Sequence, residues 1–264
     1  MPTSSKDITG APCWVSLTVR DPGAAMRFYE AVMGWRFASA PADDGFTVAF
    51  DGDSPVAGVG ALADRPGAPV AWTVYFAVDD ADVTAARIRE RGATMAVGPL
   101  TAGAGRAGLA ADPAGAVFGF WQGAVIPDWS VGHGGAPAWL ELRTRDAFAA
   151  AVFYGEVLGW DGERDCCVAS YEHDRVVLRH GHDTVARLGG GALEESPDPE
   201  VRPHWHVHFH VSDLEAAVEA ATRAGGRAVS PVDTTRTSRS VALADPEGAH
   251  FTLVAPQPSA PAAG

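Results

Sequence analysis

The chain has 264 residues, 47% of them hydrophobic and 20% charged, with a formal net charge of −13. That size allows one large domain or two small ones with a core of ordinary extent, and the composition excludes extensive disorder. No apolar run approaches the roughly 18 residues of a membrane span, and the acidic balance argues against nucleic-acid and membrane partners. The polar start, Met1 to Gly10, has no apolar signal core, so a cytoplasmic protein is expected. Lys6 is the only lysine, a mark of GC-rich coding. Cys13, Cys166 and Cys167 form no CxxC pair and read as thiols in a reducing compartment.

In chain order, the first element is the alternating stretch Trp14-Val-Ser-Leu-Thr-Val-Arg-Asp21. Asp21 suits a helix N-cap, Pro22 the first helical position, and Gly34 a left-handed stop. Met26, Tyr29 and Val32–Met33 between them fall at helical spacing. Phe46–Phe50 and Val56–Leu62 read as strands. A second unit opens near Trp72, caps a helix at Asp80 and stops it at Gly92. It closes with the turn Asp112-Pro113-Ala114-Gly115 and the strand Val117–Trp121. Residues 126–136, with Pro127, Gly132, Gly134 and Gly135, read as a linker.

The second half then repeats the first. Trp139 to Asp146, Phe153-Tyr154 and Gly159-Trp160 match Trp14 to Asp21, Phe28-Tyr29 and Gly34-Trp35 at a constant offset of 125. Trp205, Phe209, Asp213, Gly225 and Asp245-Pro246-Glu247-Gly248 match Trp72, Phe76, Asp80, Gly92 and the earlier turn at an offset of 133. Val176–Leu178, Thr184–Leu188 and Phe251–Val254 are the corresponding strands, and the Pro/Ala-rich tail 256–264 is expected to be disordered. Each unit therefore reads as strand, helix, then about three strands.

A duplicated unit with these markers resembles the vicinal oxygen chelate superfamily, which includes glyoxalases, bleomycin-resistance proteins and extradiol dioxygenases. It is similar in particular to a tandem, two-half actinobacterial type. The resemblance implies an α+β fold of four βαβββ modules in two glyoxalase-like domains, residues 11–125 and 137–255, with cup-shaped mixed sheets. It also implies that Trp14, Ser16 and Thr18 line one cup while Val15, Leu17 and Val19 pack under the helices, since side chains alternate across a strand.

Metal-dependent members carry ligands on the first strand of a unit, seven residues before the capping aspartate, and a glutamate on the last strand. Those positions hold Trp14, Thr73, Trp139 and His206, and Gly119 and Thr252. Of these only His206 is an ordinary ligand of a divalent metal, whereas a site needs roughly three. No metal centre is expected in the usual positions, and no cofactor is expected.

The stretch His204-Trp-His-Val-His-Phe-His210 places four histidines on one face of one strand. His206 and His208, with Glu141, are the candidate catalytic groups; Trp139, Arg143, His204, His210 and Thr252 are candidate ligand contacts in the same C-terminal cup. A relocated Fe, Zn, Ni or Mn site from His206, His208, Glu141 and His250 is the metal alternative. A neutral histidine beside Glu141 acting as general base is the metal-free one, and a polar binding wall is the third. In the N-terminal cup Trp14, Ser16, Thr18, Thr73, Tyr75 and Trp121 suit a flat, mostly apolar ligand, unless the tryptophans simply fill it. Trp35, Trp160, Tyr29 and Tyr154 read as core or interface; His133, His173, His180 and His182 read as surface. The expected function is small-molecule binding, of a bulky hydrophobic or aromatic metabolite, in natural-product biosynthesis or self-resistance, by a monomer or homodimer. A metal-dependent lyase or dioxygenase and a glyoxalase-like detoxification of 2-oxoaldehydes are the alternatives.

Overall fold

A computed structural model describes residues 4–39, 46–61, 69–160, 166–173, 175–189 and 202–257. The first half is β1 (Pro12–Val19), α1 (Pro22–Met33), β2 (Arg36–Ser39), β3 (Phe46–Asp51), β4 (Ser54–Ala61), β5 (Ala71–Ala77), α2 (Ala81–Glu90), β6 (Thr94–Ala102), β7 (Gly105–Ala111) and β8 (Val117–Gln122). The second half is β9 (Trp139–Arg143), α3 (Ala147–Leu158), β10 (Cys167–Glu172), β11 (Arg175–His180), β12 (Asp183–Gly189), β13 (His204–His210), α4 (Leu214–Arg223), β14 (Arg227–Ala228), β15 (Asp233–Thr234), β16 (Ser238–Ala244) and β17 (His250–Pro256). Most of the expected tail, from residue 258, lies outside the described residues, as does Leu62.

The helix caps behave as their chemistry dictates. Asp21, Asp80, Asp146 and Asp213 are the four N-caps, each carboxylate accepting from a backbone N–H in the first turn. Gly34 and Gly159 end α1 and α3 in the left-handed region, at φ 72° and 80°.

Each half forms one mixed sheet, in the orders β2-β3-β4-β1-β5-β8-β7-β6 and β10-β11-β12-β9-β13-β17-β16-β14, with β15 beside β16. The two units of a half join through their first strands, β1 with β5 and β9 with β13, both antiparallel. The cups therefore form within each half.

Alternation decides the rest. Val15, Leu17, Val19, Val74 and Phe76 are buried on the helix side of the first sheet, and Leu140, Leu142, Val207 and Phe209 on that of the second. The sheets meet through these helix-bearing faces. The rings of Trp72 and Phe209 lie 5.1 Å apart and those of Phe76 and Trp205 5.2 Å apart, while α1 packs on α4 and α2 on α3. Both cups thus face away from the shared core.

The expected linker, residues 126–136, is anchored to the fold by three packed side chains. Trp129, Val131 and Ala136 are buried, and the Trp129 indole N–H donates to the Val56 carbonyl at 2.9 Å. Apolar area removed from water holds this segment against β4. Cys13, Cys166 and Cys167 form no disulfide.

Candidate functional site

In the N-terminal cup, register places Trp14 beside Tyr75 and Ser16 beside Thr73. Glycines make room for flat aromatic rings there. A Cβ on Gly119 would lie 2.3 Å from the Tyr75 ring, one on Gly58 2.2 Å from Phe46, and one on Gly105 2.4 Å from Trp121. Trp129 packs on Trp14 with ring centroids 5.8 Å apart. Thr73 and Ser16 are buried, and burial raises the Tyr75 hydroxyl above its ordinary range. Among the expected lining residues, then, none carries a charge at neutral pH, and Trp129 is an additional wall.

The C-terminal cup is differently furnished. On β13, His204 faces Arg143, His206 faces Glu141 and His208 faces Trp139 across the β9 ladder, and Glu141 is flanked on its other side by Arg187 of β12. His206 and His208 are buried, His204 is half-buried, and His210, at the end of the strand, is exposed, as is His250. The His206 Nε2 lies 2.8 Å from the Thr252 hydroxyl. The His208 ring stacks on Trp139 with centroids 4.5 Å apart, and the Arg187 guanidinium sits 5.2 Å from the Trp139 ring centre. Arg187, Trp139 and His208 thus form a row of three side chains joined by two contacts.

Charge in this cup is tightly assigned. Arg143 Nε donates to Glu141 Oε2 at 3.0 Å, and His208 Nε2 stands 3.4 Å from the same oxygen, within ion-pair reach but outside hydrogen-bond geometry. Burial alone would raise the Glu141 pKa; His208 and Arg143 outweigh it and hold the carboxyl at about 2. Burial lowers His204, His206 and His208, so their imidazoles are neutral at pH 7. His206 Nδ1 and both ring nitrogens of His208 are buried without a hydrogen-bond partner. Such buried polar atoms are costly to leave unsatisfied. A row of neutral imidazoles beside an ionised carboxylate can accept a proton or receive donors from a ligand.

Beside this row, over β10 to β12, opens a cavity of about 500 Å³ whose walls include Glu172, Arg175, Arg179 and Arg187. His173 lies at its rim and is exposed, as its sequence context suggested. His133 is exposed and pairs with Asp183 at 3.2 Å. The expectations named neither Arg187 nor Trp129. Alternation along the correctly read strand Thr184–Leu188 is the signal for Arg187, and an isolated tryptophan within a Gly-rich segment is the signal for Trp129.

The sequence comparisons agree with this architecture. The family profile "Glyoxalase/Bleomycin resistance protein/Dioxygenase superfamily" matches residues 13–120, and "Glyoxalase-like domain" matches 139–254. The chain is 34% identical over 270 residues to a Mycobacterium tuberculosis protein named "Putative glyoxylase CFP32", covering 98% of this chain and 99% of that one. The chain belongs to the vicinal oxygen chelate superfamily. It is also 35% identical over 276 residues to the anthracycline biosynthesis protein DauV of a Streptomyces strain, covering 96% of each chain. Among solved structures, the Mn(II)-bound glyoxalase from Novosphingobium aromaticivorans shares the fold, with a TM-score of 0.59 at 16% identity over 94% of this chain and 82% of that one.

A divalent metal is the superfamily's usual chemical centre, and the residues present do not fit one. In the N-terminal cup the ligand positions hold Trp14, Thr73 and Gly119, and Tyr75 occupies the space into which a side chain at Gly119 would project. In the C-terminal cup Trp139 and Thr252 replace donors, His206 is turned to Thr252, and Glu141 is committed to Arg143. Among the described residues no three His, Cys, Asp or Glu side chains converge to hold a metal ion. No helix among them is long and apolar enough to cross a membrane.

Proposed function

We propose that this vicinal oxygen chelate protein acts in secondary metabolism by binding a bulky aromatic metabolite, without a metal at the superfamily's usual positions. The observation that carries this reading is that Trp14 and Trp139 stand at donor positions and further rings surround them, Tyr75, Trp121 and Trp129 around one cup and His208 in the other. Aromatic planes with a few polar groups are the ordinary recipe for such a ligand. The 35% identity to an anthracycline biosynthesis protein supports the same metabolic setting, with self-resistance by sequestration as a further outlet. Metal analysis of dialysed protein tests it. Sub-stoichiometric Fe, Zn, Ni and Mn are expected, and a stoichiometric metal that survives dialysis overturns the reading.

The orphaned histidine nitrogens favour a second reading, a metal-free proton transfer in the C-terminal cup. There His208, 3.4 Å from the ionised Glu141, would take a proton from an acidic C–H or O–H of the ligand. In that case turnover is lost in His208→Gln while ligand binding survives. The relative named as a glyoxylase makes methylglyoxal with a thiol the other assay to run.

A further inference from the structure

The chain is acidic overall, yet the wall of the C-terminal cup is not. From β9 to β12 its described charged groups are Arg143, Arg175, Arg179 and Arg187, against Glu141 and Glu172. A positive hollow on a protein of net charge −13 concentrates anions locally. Three of these arginines are engaged, Arg175 among them. Arg143 donates to Glu141, and Arg179 donates to the Ser170 hydroxyl at 2.7 Å and to Glu172.

Arg187 differs. Among the described residues it makes no ion pair or hydrogen bond, and its recorded contact is with the face of Trp139. A guanidinium held over an aromatic ring still has N–H groups that can receive an oxyanion. Here those groups belong to a residue lining the 500 Å³ cavity. Burial and then the neighbouring Arg175 lower the pKa of Arg187 and outweigh the opposing pull of Glu141 and Glu172, so a further anion placed here would favour its charged form.

We propose that the C-terminal cup selects an acid: an aromatic ligand whose carboxylate, or an equivalent oxyanion, is received by Arg187 in the cavity over β10 to β12. This rests on the metabolite-binding reading and narrows its ligand class. The unpartnered nitrogens of His206 and His208 lie further along the same wall, where further polar groups of such a ligand would meet them.

The test is a tryptophan-fluorescence titration of the full chain at pH 7.5 and low salt, with 2-naphthoate and its uncharged isostere 2-naphthamide. The acid is expected to bind at least tenfold more tightly. Arg187→Met is expected to abolish that preference and Arg187→Lys to retain part of it, with thermal melts confirming that both variants fold. Equal binding of the two probes, or a preference that survives Arg187→Met, overturns this inference alone. Failure of both probes to bind overturns the aromatic-ligand reading with it. Metal content, measured separately, bears only on that earlier reading.

Discussion

The Tyr154 hydroxyl of α3 donates to Asp112 Oδ2 at 3.1 Å, and this bond ties the second half of the chain to the first. The same hydroxyl accepts from the Trp205 indole N–H at 2.9 Å, while Asp112 Oδ1 accepts from the backbone N–H groups of Ala114 and Ala116. A twin stands at the pseudo-symmetric position: Tyr29 donates to Asp245 at 3.3 Å and accepts from Trp72 at 3.1 Å. Trp160 and Trp35 stack on the two tyrosines, with centroids 5.3 and 5.7 Å away.

Tyr154→Phe would leave the Trp205 N–H and a carboxylate lone pair without partners in a dry core. A loss on the order of 1–3 kcal/mol is expected, lowering the melting temperature by several degrees. Tyr29→Phe should cost a similar amount. Thermal melts of the two single variants check this, and unchanged melting would show that the bonds contribute nothing net.

These pairs explain what the sequence does and does not disclose. The motifs that reveal the repeat, Phe-Tyr, Gly-Trp, the lone Trp and Asp-Pro-x-Gly, are the residues of the two buried clusters. They were legible because one packing solution is used twice, and duplicated geometry demands duplicated residues. The cup faces carry no such constraint. Trp14 and Trp139 still correspond, but Ser16 stands where Glu141 does, Thr73 where His206 does, and Gly119 where Thr252 does. Strand alternation was enough to place His204, His206, His208 and Glu141 on one face. Alternation also puts Arg187 on one face of its strand, but its place beside Glu141 depends on the parallel pairing of β12 with β9, whose register no local pattern sets.

The buried histidines predict acid sensitivity. His206 is neutral in the fold, lowered by burial and by the nearby His208, Arg143, His204 and His250, and it titrates near 6.5 when unfolded. A depressed folded pKa means that the stability is fully present above about pH 6.5 and is lost as pH falls below it. Each such histidine contributes a slope of up to about 1.4 kcal/mol per pH unit there. Glu141 adds a separate loss at lower pH, between its unfolded value of 4.5 and about 2. Urea titrations at pH 7.5, 6.5 and 5.5 should show falling stability in the wild type and a shallower fall in His206→Gln. Parallel curves for the two proteins would reject the assignment.

Trp129 gives the inter-half segment a definite stability. Its indole packs on Trp14 and donates to Val56, so Trp129→Ala should cost roughly 3–5 kcal/mol, the usual range for removing a buried large aromatic side chain. Trp129→Phe keeps most of the area and loses the hydrogen bond, for about 1–2 kcal/mol. Chemical denaturation of both variants measures the difference. Equal, small effects would mean that the segment is a passive tether.

Gly119 allows the proposed absence of a metal site from the N-terminal cup to be tested directly. Metal-dependent members of the superfamily carry a glutamate at this position, and here the Tyr75 ring lies flat over the glycine. A Cβ would come within 2.3 Å of Tyr75 Cδ1 and 2.4 Å of Cε1. Restoring a carboxylate should therefore destabilise the fold instead of recreating a site. Gly119→Ala is expected to cost about 1–3 kcal/mol through overpacking. Gly119→Glu should cost more, and calorimetric titration of that variant with Mn(II) or Zn(II) should show no site-specific binding. Because one ring causes the clash, Tyr75→Ala should rescue part of the Gly119→Ala loss, giving a non-additive double-mutant cycle. Additive energies would place the cost of Gly119→Ala in the backbone, and metal binding by Gly119→Glu would mean that the N-terminal cup can still open to receive an ion.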